Sequence, residues 1–448
     1  MSLEHGITRA LVRTVRTLRW QELPAEAREV ARHCLLDFLG VALAGAREPL
    51  SEILIDVVVR REGSSVAGIL GRLERASRLS AALVNGAAAH ALDFDDTHTA
   101  MNGHPSAPVL PALLALAETE ETSGEQVLAA LVAGIELECR LGGLLGPGHY
   151  AVGFHSTGTL GAFGAAAACA HLLGLDEEQW AHALGLAGTQ AAGLKSGFGT
   201  MAKPLHAGRA AATGLLSVLL ARGGFTANPT IIEAPQGFAA THAGAGGTTD
   251  TPDRNDRLFV RATLFKYHAA CYLTHAAIEA SSALRTAHRL EPEAIDRVTV
   301  RVAPALLGVC AIPEPRTGLE GKFSLRATTA MALLGDDTGN PAAFTDSRMG
   351  DPRLRALRDR ISVETVPGTP STRAAVVIET RGRRVDAEVD TGVPASDLGA
   401  QRERLRRKFL TLATPVVGRK GAVRLADAAL AADELPSAAG LIRLAQPQ

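Results

Sequence analysis

From about residue 8 to 224, apolar residues recur at i, i+3 and i+4 with glycine and proline as punctuation, the period of packed α-helices. Ser123 with Gln126 before LAALVAGIELECRL, and Asp176 with Gln179 before WAHALGLAGTQAAGL, each match a capping box. Gly223-Gly224 is the predicted stop of a helix begun after Pro204. Residues 156–174 and 181–193 are rich in Ala and Gly, and such small side chains predict buried helices whose axes approach closely. Around 250–262 the composition changes to TPDRNDRLFVRA, and after a helix at about 272–288 the period becomes two. Val298–Val302 and Ile361–Val366 read as strands, and AAVVIET-RGRR-VDAEVDT from Ala374 as a hairpin turning at Gly382. Helices at 323–334 and 351–359 complete an α+β unit, and from about residue 397 the pattern is helical again. The predicted fold is mainly α: a large all-helical bundle domain built from N- and C-terminal parts (1–266 and 397–448), with an inserted smaller α+β domain (267–396).

Composition narrows the function. The 46 basic and 47 acidic side chains leave no electrostatic footprint for nucleic acid or an anionic membrane. Five scattered cysteines with no C-x-x-C pair suggest neither a disulfide framework nor a zinc or iron–sulfur site. The first apolar run, Leu35–Ala44, contains Asp37 and is too short to span a bilayer, so the expectation is a soluble, cytoplasmic protein. Arginine supplies nearly all the positive charge. The scarce lysines near histidines therefore stand out: Lys203, three residues before His206, and Lys266, two before His268 and nine before His275.

Chemistry concentrates in HALDFDDTHTAMNGHPSAP, residues 90–108, with three histidines and three aspartates on a turn-rich loop between a helix ending near His90 and one restarted by Pro105 and Pro108. Four further patches carry polar groups in apolar surroundings. In GFHSTGTLGAFGAA, His155 precedes a helix with Ser156 or Thr157 as the expected N-cap. GLKSGFGTMAKPLHAGRAA leads to Lys203 at a helix start with Pro204 at N1, an anion receptor suited to a carboxylate; the Walker spacing is absent. LFKYHAACYLTHAAIEA holds Lys266, His268, Cys271 and His275, and GLEGKFSLRATTAMALL holds Lys322 and Arg326 one helical turn apart. A set of His, Lys, Asp and Thr, with no serine-hydrolase elbow and no nucleotide fingerprint, suits proton transfer at a carbon flanked by carboxylates.

In order and spacing, H-A-L-D-F-D-D-T-H with His104-Pro-Ser, then G-F-H, K-P-L-H-A-G, E-A-P-Q-G-F at 233–238, K-x-x-x-x-C-x-x-T-H and K-F-S-L resemble the MmgE/PrpD family over about residues 8–440. The family includes 2-methylcitrate dehydratase, cis-aconitate decarboxylase and iminodisuccinate epimerase. The resemblance implies a homodimeric, metal-independent and cofactor-independent enzyme acting on a small polycarboxylate. It also implies a site: His104 and His155 as acid–base residues, Asp93 and Thr97 to orient substrate or a neighbouring histidine, and Lys203 and Lys266 to hold carboxylates, with His275 and Arg326 as further substrate-binding candidates. The default expectation is 2-methylcitrate dehydration, a lyase reaction, with iminodisuccinate-type epimerisation and cis-aconitate decarboxylation as alternatives.

After K-F-S-L, dehydratase and decarboxylase members tend to carry Pro-Tyr, whereas this chain has Arg326-Ala327. A phenol acid is thus missing there, and Arg326 adds positive charge suited to a more anionic substrate, which favours the epimerase alternative. Cys271, where the decarboxylase branch has histidine, counts against decarboxylation. Two rival classes remain in view. One is a metal-dependent all-α enzyme using His90, Asp93, Asp95, Asp96, His98 and His104, although Asp95-Asp96 is not followed by Asp three positions on and only 4% of residues are aromatic. The other is a non-catalytic helical polycarboxylate-binding protein.

Overall fold

The computed structural model describes residues 6–244 and 258–447 and is mainly α-helical. It divides into two compact units, Met1–Phe265 with Ala395–Gln448, and Lys266–Pro394. Residues 250–257 of the compositional break lie outside the described residues; the remainder includes a 3-10 turn at Phe259–Ala262.

In the larger unit both predicted capping boxes form, Ser123 with Gln126 and Asp176 with Gln179, starting helices Gly124–Leu145 and Glu177–Gly188. Every residue of helix Ser106–Ala117 is buried, which explains its lack of a polar face. Close helix crossings explain the small residues. A Cβ on Gly208, in helix Ala202–Arg222, would stand 2.1 Å from the Leu83 carbonyl oxygen of helix Arg78–His90. One on Gly86 would meet the Gly208 Cα at 2.8 Å, and one on Gly214 the Ala165 Cβ at 2.6 Å. These contacts fix the ends of two helices that carry polar residues into one place. The C-terminal segment Leu398–Leu430 packs along helix Ala25–Gly45, with a break at Gly418 (φ 70°) just after Pro415.

The structure departs from the expected elements at several points. The larger unit is not purely helical: Ala67–Gly68 pairs with Arg75–Ala76 as a minimal antiparallel ladder. The N-cap of helix Ser156–Leu172 is His155 itself, not Ser156 or Thr157, and its side chain makes no capping bond. Helix Ala202–Arg222 begins before Lys203, so Pro204 is not its first residue. Lys322 terminates a short helix, Gly318–Gly321, and does not share one with Arg326 in Leu325–Leu334.

The smaller unit is built on a four-stranded sheet in the order Ile361–Thr365, Ile295–Val302, Arg373–Thr380, Arg383–Asp390. The first pair is parallel and the others antiparallel. Arg381 (φ 48°) and Gly382 (φ 74°) supply the two left-handed residues that a tight hairpin turn with native twist requires. Val298, Val300, Val302, Val376 and Ile378 are buried. Helix Tyr272–His288 packs on the last two strands, and Leu325–Leu334 packs on that helix.

Because a carbonyl oxygen cannot rotate away, Gly208→Ala forces two helices apart, and overpacking of this kind costs about 1–3 kcal/mol. A thermal melt is expected to fall by several degrees for Gly208→Ala. It should be unchanged for Gly63→Ala, where an added Cβ meets nothing within 4 Å. Equal melting temperatures would contradict this reading of the crossing.

Candidate active site

The loop between helices Arg78–His90 and Ser106–Ala117 is tied down before any of its side chains act. Asp93 (φ 50°) and Asn102 (φ 46°) take left-handed conformations, which Asp and Asn tolerate better than most residues. Thr97 exchanges backbone hydrogen bonds with Leu264 (2.7 and 2.8 Å), and the His98 backbone pairs with Gly103. The buried His98 ring donates from Nε2 to the Phe259 carbonyl (2.9 Å) and accepts at Nδ1 from the Ala100 N–H (3.1 Å), so His98 is a structural pin. Asp96 accepts from both the backbone N–H (3.2 Å) and the hydroxyl of Ser106, closing the start of the next helix.

That framework gathers four histidines. His90 Nδ1 lies 3.0 and 2.9 Å from the two oxygens of the buried Asp95 carboxylate. His104 Nδ1 lies 3.1 Å from Asp95 Oδ2, within charge attraction but without hydrogen-bond alignment. On its other side, His104 Nε2 stands 3.5 Å from Asp93 Oδ1, and the same oxygen receives Lys203 Nζ at 3.0 Å. The His104 backbone N–H donates to Thr157 Oγ1 (3.1 Å), which ties the loop to helix Ser156–Leu172. The His155 ring lies near-parallel to His90, with centroids 5.6 Å apart, and its Nδ1 is 3.0 Å from His206 Nδ1. Phe198 meets the His155 ring edge-on at 4.9 Å, with Lys203 Nζ 5.2 Å from the Phe198 centroid.

The structure thus brings together Asp93, His104, His155 and Lys203, and holds Thr97 on the same loop through its backbone. Sequence reasoning left His90, Asp95 and His206 out of the site. Two of them lie within the H-A-L-D-F-D-D motif, and His206 lies in K-P-L-H-A-G, so the signal was present but did not separate them from their neighbours. Lys266, His275 and Arg326 belong to the smaller unit. Lys266 and His275 are 2% exposed, and His275 Nε2 bonds the Ala270 carbonyl at 3.2 Å. The Arg326 guanidinium is committed locally: it donates to the Arg358 carbonyl (3.3 and 3.1 Å) and the Pro313 carbonyl (3.4 Å) and approaches Asp359.

Burial and neighbours divide the protonation states. Burial alone would raise the Asp95 carboxyl, but the charges of His104 and His90 outweigh it and hold Asp95 well below the carboxylate range. His90 is lowered to about 4, first by burial and then by His104 and Lys203, against the pull of Asp95. His155 is driven far down by burial, with His90, Lys203, His104 and His206 adding to it, and is neutral. Asp96 is pushed up to about 8 by burial and by the charges of Asp37 and Asp95, against its bonds to Ser106. His90, Asp93, Asp95 and His104 offer ligand atoms within 4.8 Å of one another, near enough to converge on a cation. Lys203 already brings a positive charge to Asp93, so the cluster is better suited to proton transfer and to binding a carboxylate through Lys203.

These shifts have opposite signs in stability. The folded Asp96 carboxyl binds its proton more tightly than the unfolded one, so its contribution is full at low pH and is lost as pH rises from about 4 through about 8. His90 binds its proton less tightly when folded, so its contribution is lost as pH falls from about 6.5 to about 4. Asp96→Asn is expected to flatten the decline in melting temperature between about pH 5 and 8 relative to the parent protein. Parallel melting curves for the two proteins would mean Asp96 is ionised.

Two family models cover most of the chain: the MmgE/PrpD N-terminal domain matches residues 9–249 and the MmgE/PrpD C-terminal domain residues 268–434. A cis-aconitate decarboxylase of Aspergillus terreus is 28% identical over 98% of this chain and 96% of its own length. The cis-aconitate decarboxylase of Mus musculus is 30% identical over 76% and 72%, and that of Homo sapiens 28% over 81% and 77%. With its N- and C-terminal domains matched in order over residues 9–249 and 268–434, the chain belongs to the MmgE/PrpD family.

Proposed function

We propose that this chain is a lyase of small polycarboxylates that works by proton transfer at a carbon next to a carboxylate, with cis-aconitate decarboxylation as its reaction. The observation that carries the reading is the convergence of His104, His155, Asp93 and Lys203 in a matched family whose relatives are cis-aconitate decarboxylases. In such a reaction the bond to the departing carboxylate breaks. Its electron pair passes through the conjugated double bond to the carbon beside the distal carboxylate, and that carbon takes up one proton.

His104 has carboxylates at both ring nitrogens, an arrangement that holds a proton ready for delivery. Lys203, presently on Asp93, receives a substrate carboxylate and steadies the negative charge that develops. His155 is neutral without a ligand, and a bound polyanion raises its proton affinity, so binding itself prepares it for acid–base work. Lys266 and His275 remain proposed carboxylate ligands. Arg326 is left out: its donors are spent on backbone carbonyls, which removes one of the two reasons to prefer an epimerase, the other being the missing phenol after K-F-S-L. The chemistry proposed needs no metal or organic cofactor. We also propose a cytoplasmic homodimer; among the described residues no helix is long and apolar enough to cross a membrane.

The test is proton NMR of chelator-treated protein in D₂O with cis-aconitate, 2-methylcitrate and iminodisuccinate in separate tubes. Cis-aconitate should lose its vinyl signal and give two terminal alkene signals with one deuterium on the neighbouring methylene. Dehydration of 2-methylcitrate, or loss of an α-proton from iminodisuccinate without a new alkene, would replace decarboxylation by a sister reaction. Inertness in every tube would overturn the lyase reading. His104→Gln is expected to lower kcat by ~10²-fold or more, the usual worth of a general acid. Lys203→Met is expected to raise KM by about 10–100-fold, as a lost charge-assisted hydrogen bond of roughly 1.5–3 kcal/mol predicts. Retention of wild-type kinetics by both variants would move the chemistry elsewhere.

A further inference from the structure

We propose that His206 is a positioning residue that shares one proton with His155 and links it to solvent. The contact that carries this is the 3.0 Å separation of the two Nδ1 atoms. Two imidazole nitrogens at that distance form a hydrogen bond only if one bears a proton and the other a lone pair. The pair is held in place by its surroundings. His155 donates its backbone N–H to the Gly193 carbonyl (3.0 Å). A Cβ on Gly193 (φ 147°) would lie 3.3 Å from His206 Cγ and 3.5 Å from His155 Cβ, and one on Gly158 would lie 3.1 Å from His206 Cβ. The absence of side chains at these two glycines leaves room for the paired rings.

The rings differ in access. His155 is 2% exposed, whereas His206 is half-buried and lines a cavity of about 340 Å³ with Gln190, Ser196, Arg209 and Thr213. Ser196 and Arg209 are exposed, so the cavity reaches solvent. Burial keeps both rings neutral, first of all by desolvation, which leaves a single shared proton between them. A relay follows from this arrangement. When His155 accepts a proton at Nε2, its Nδ1 proton passes to His206 Nδ1, and His206 releases its own Nε2 proton to water in the cavity. One proton has moved from the site to solvent, and both rings are neutral again with exchanged tautomers. The reverse sequence delivers a proton. His206 thereby sets which nitrogen of His155 is a donor and resets it between turnovers.

The relay rests on the acid–base reading of His155, whereas the shared proton does not, and the two arms of the test separate them. In the first arm, the protein labelled with ¹⁵N-histidine is compared with His206→Gln and His155→Gln by long-range ¹H–¹⁵N NMR. The expected result is one protonated and one bare Nδ1 in the pair, with the His155 nitrogen shifts changed in His206→Gln. Two bare Nδ1 atoms, or a His155 spectrum indifferent to His206→Gln, would overturn the proposal whatever the enzyme turns over. In the second arm, His206→Ala, shown to be folded by its melting curve, is assayed on the substrate that the wild type converts. The expected loss in kcat is ~10–10²-fold with little change in KM, restored by added imidazole, which replaces the missing ring. Full activity without imidazole, or a loss that imidazole does not repair in the folded protein, would also overturn it. If the wild type converts no polycarboxylate, the function proposed above fails and the first arm alone decides the role of His206.

Discussion

The site depends on one buried charge, the Asp95 carboxylate between His90 and His104. An ion 1% exposed cannot be left unpaired, because desolvation costs several kcal/mol even after relaxation. Here two imidazoles supply the compensation, and in return the carboxylate orients both rings. Through His104 the arrangement reaches Asp93 and Lys203; through the stacked His90 ring it reaches His155. Displacing Asp95 would leave five titratable side chains, His90, His104, Asp93, Lys203 and His155, without a common reference.

Three other buried carboxyl groups, Asp96, Glu138 and Asp37, are shifted in the opposite direction to Asp95. Asp96, the next residue, is closed by Ser106 and raised into the neutral form. Glu138 is buried, without a hydrogen-bond partner at either oxygen, and pushed far up by burial and by Asp96, so it too is protonated. Asp37 is raised by burial, against the ammonium of Lys408, which lies 2.6 Å from it and donates to the Phe94 carbonyl at 2.6 Å. Lys408 comes from the C-terminal segment, more than 300 residues along the chain from the loop it supports. The return of the chain's end to the larger unit is therefore a requirement of the site as well as of the core.

Much of this frame was legible in the sequence because it is local. Capping boxes at Ser123 and Asp176, the end of a helix at His90, the prolines after His104 and the hairpin at Gly382 all rest on residues a few positions apart. The motifs also marked the polar residues that would meet. What the sequence did not reveal is the division of labour inside them. His98 and His104 are six residues apart in one loop, yet one bonds a backbone carbonyl and the other faces two carboxylates. His206 gained its partner from a different helix start, and Arg326 lost its apparent role to the carbonyls of Arg358 and Pro313. Each outcome is decided by tertiary distance and burial, which the residue type and its spacing do not encode.

The central claim is that two adjacent aspartates of one loop hold opposite protonation states at neutral pH. Carboxyl ¹³C NMR of aspartate-labelled protein measures this directly, with Asp95→Asn and Asp96→Asn assigning the two resonances. The account predicts an ionised shift for Asp95 and a predominantly protonated shift for Asp96 in the same spectrum. Two ionised resonances, or a protonated Asp95, would contradict it.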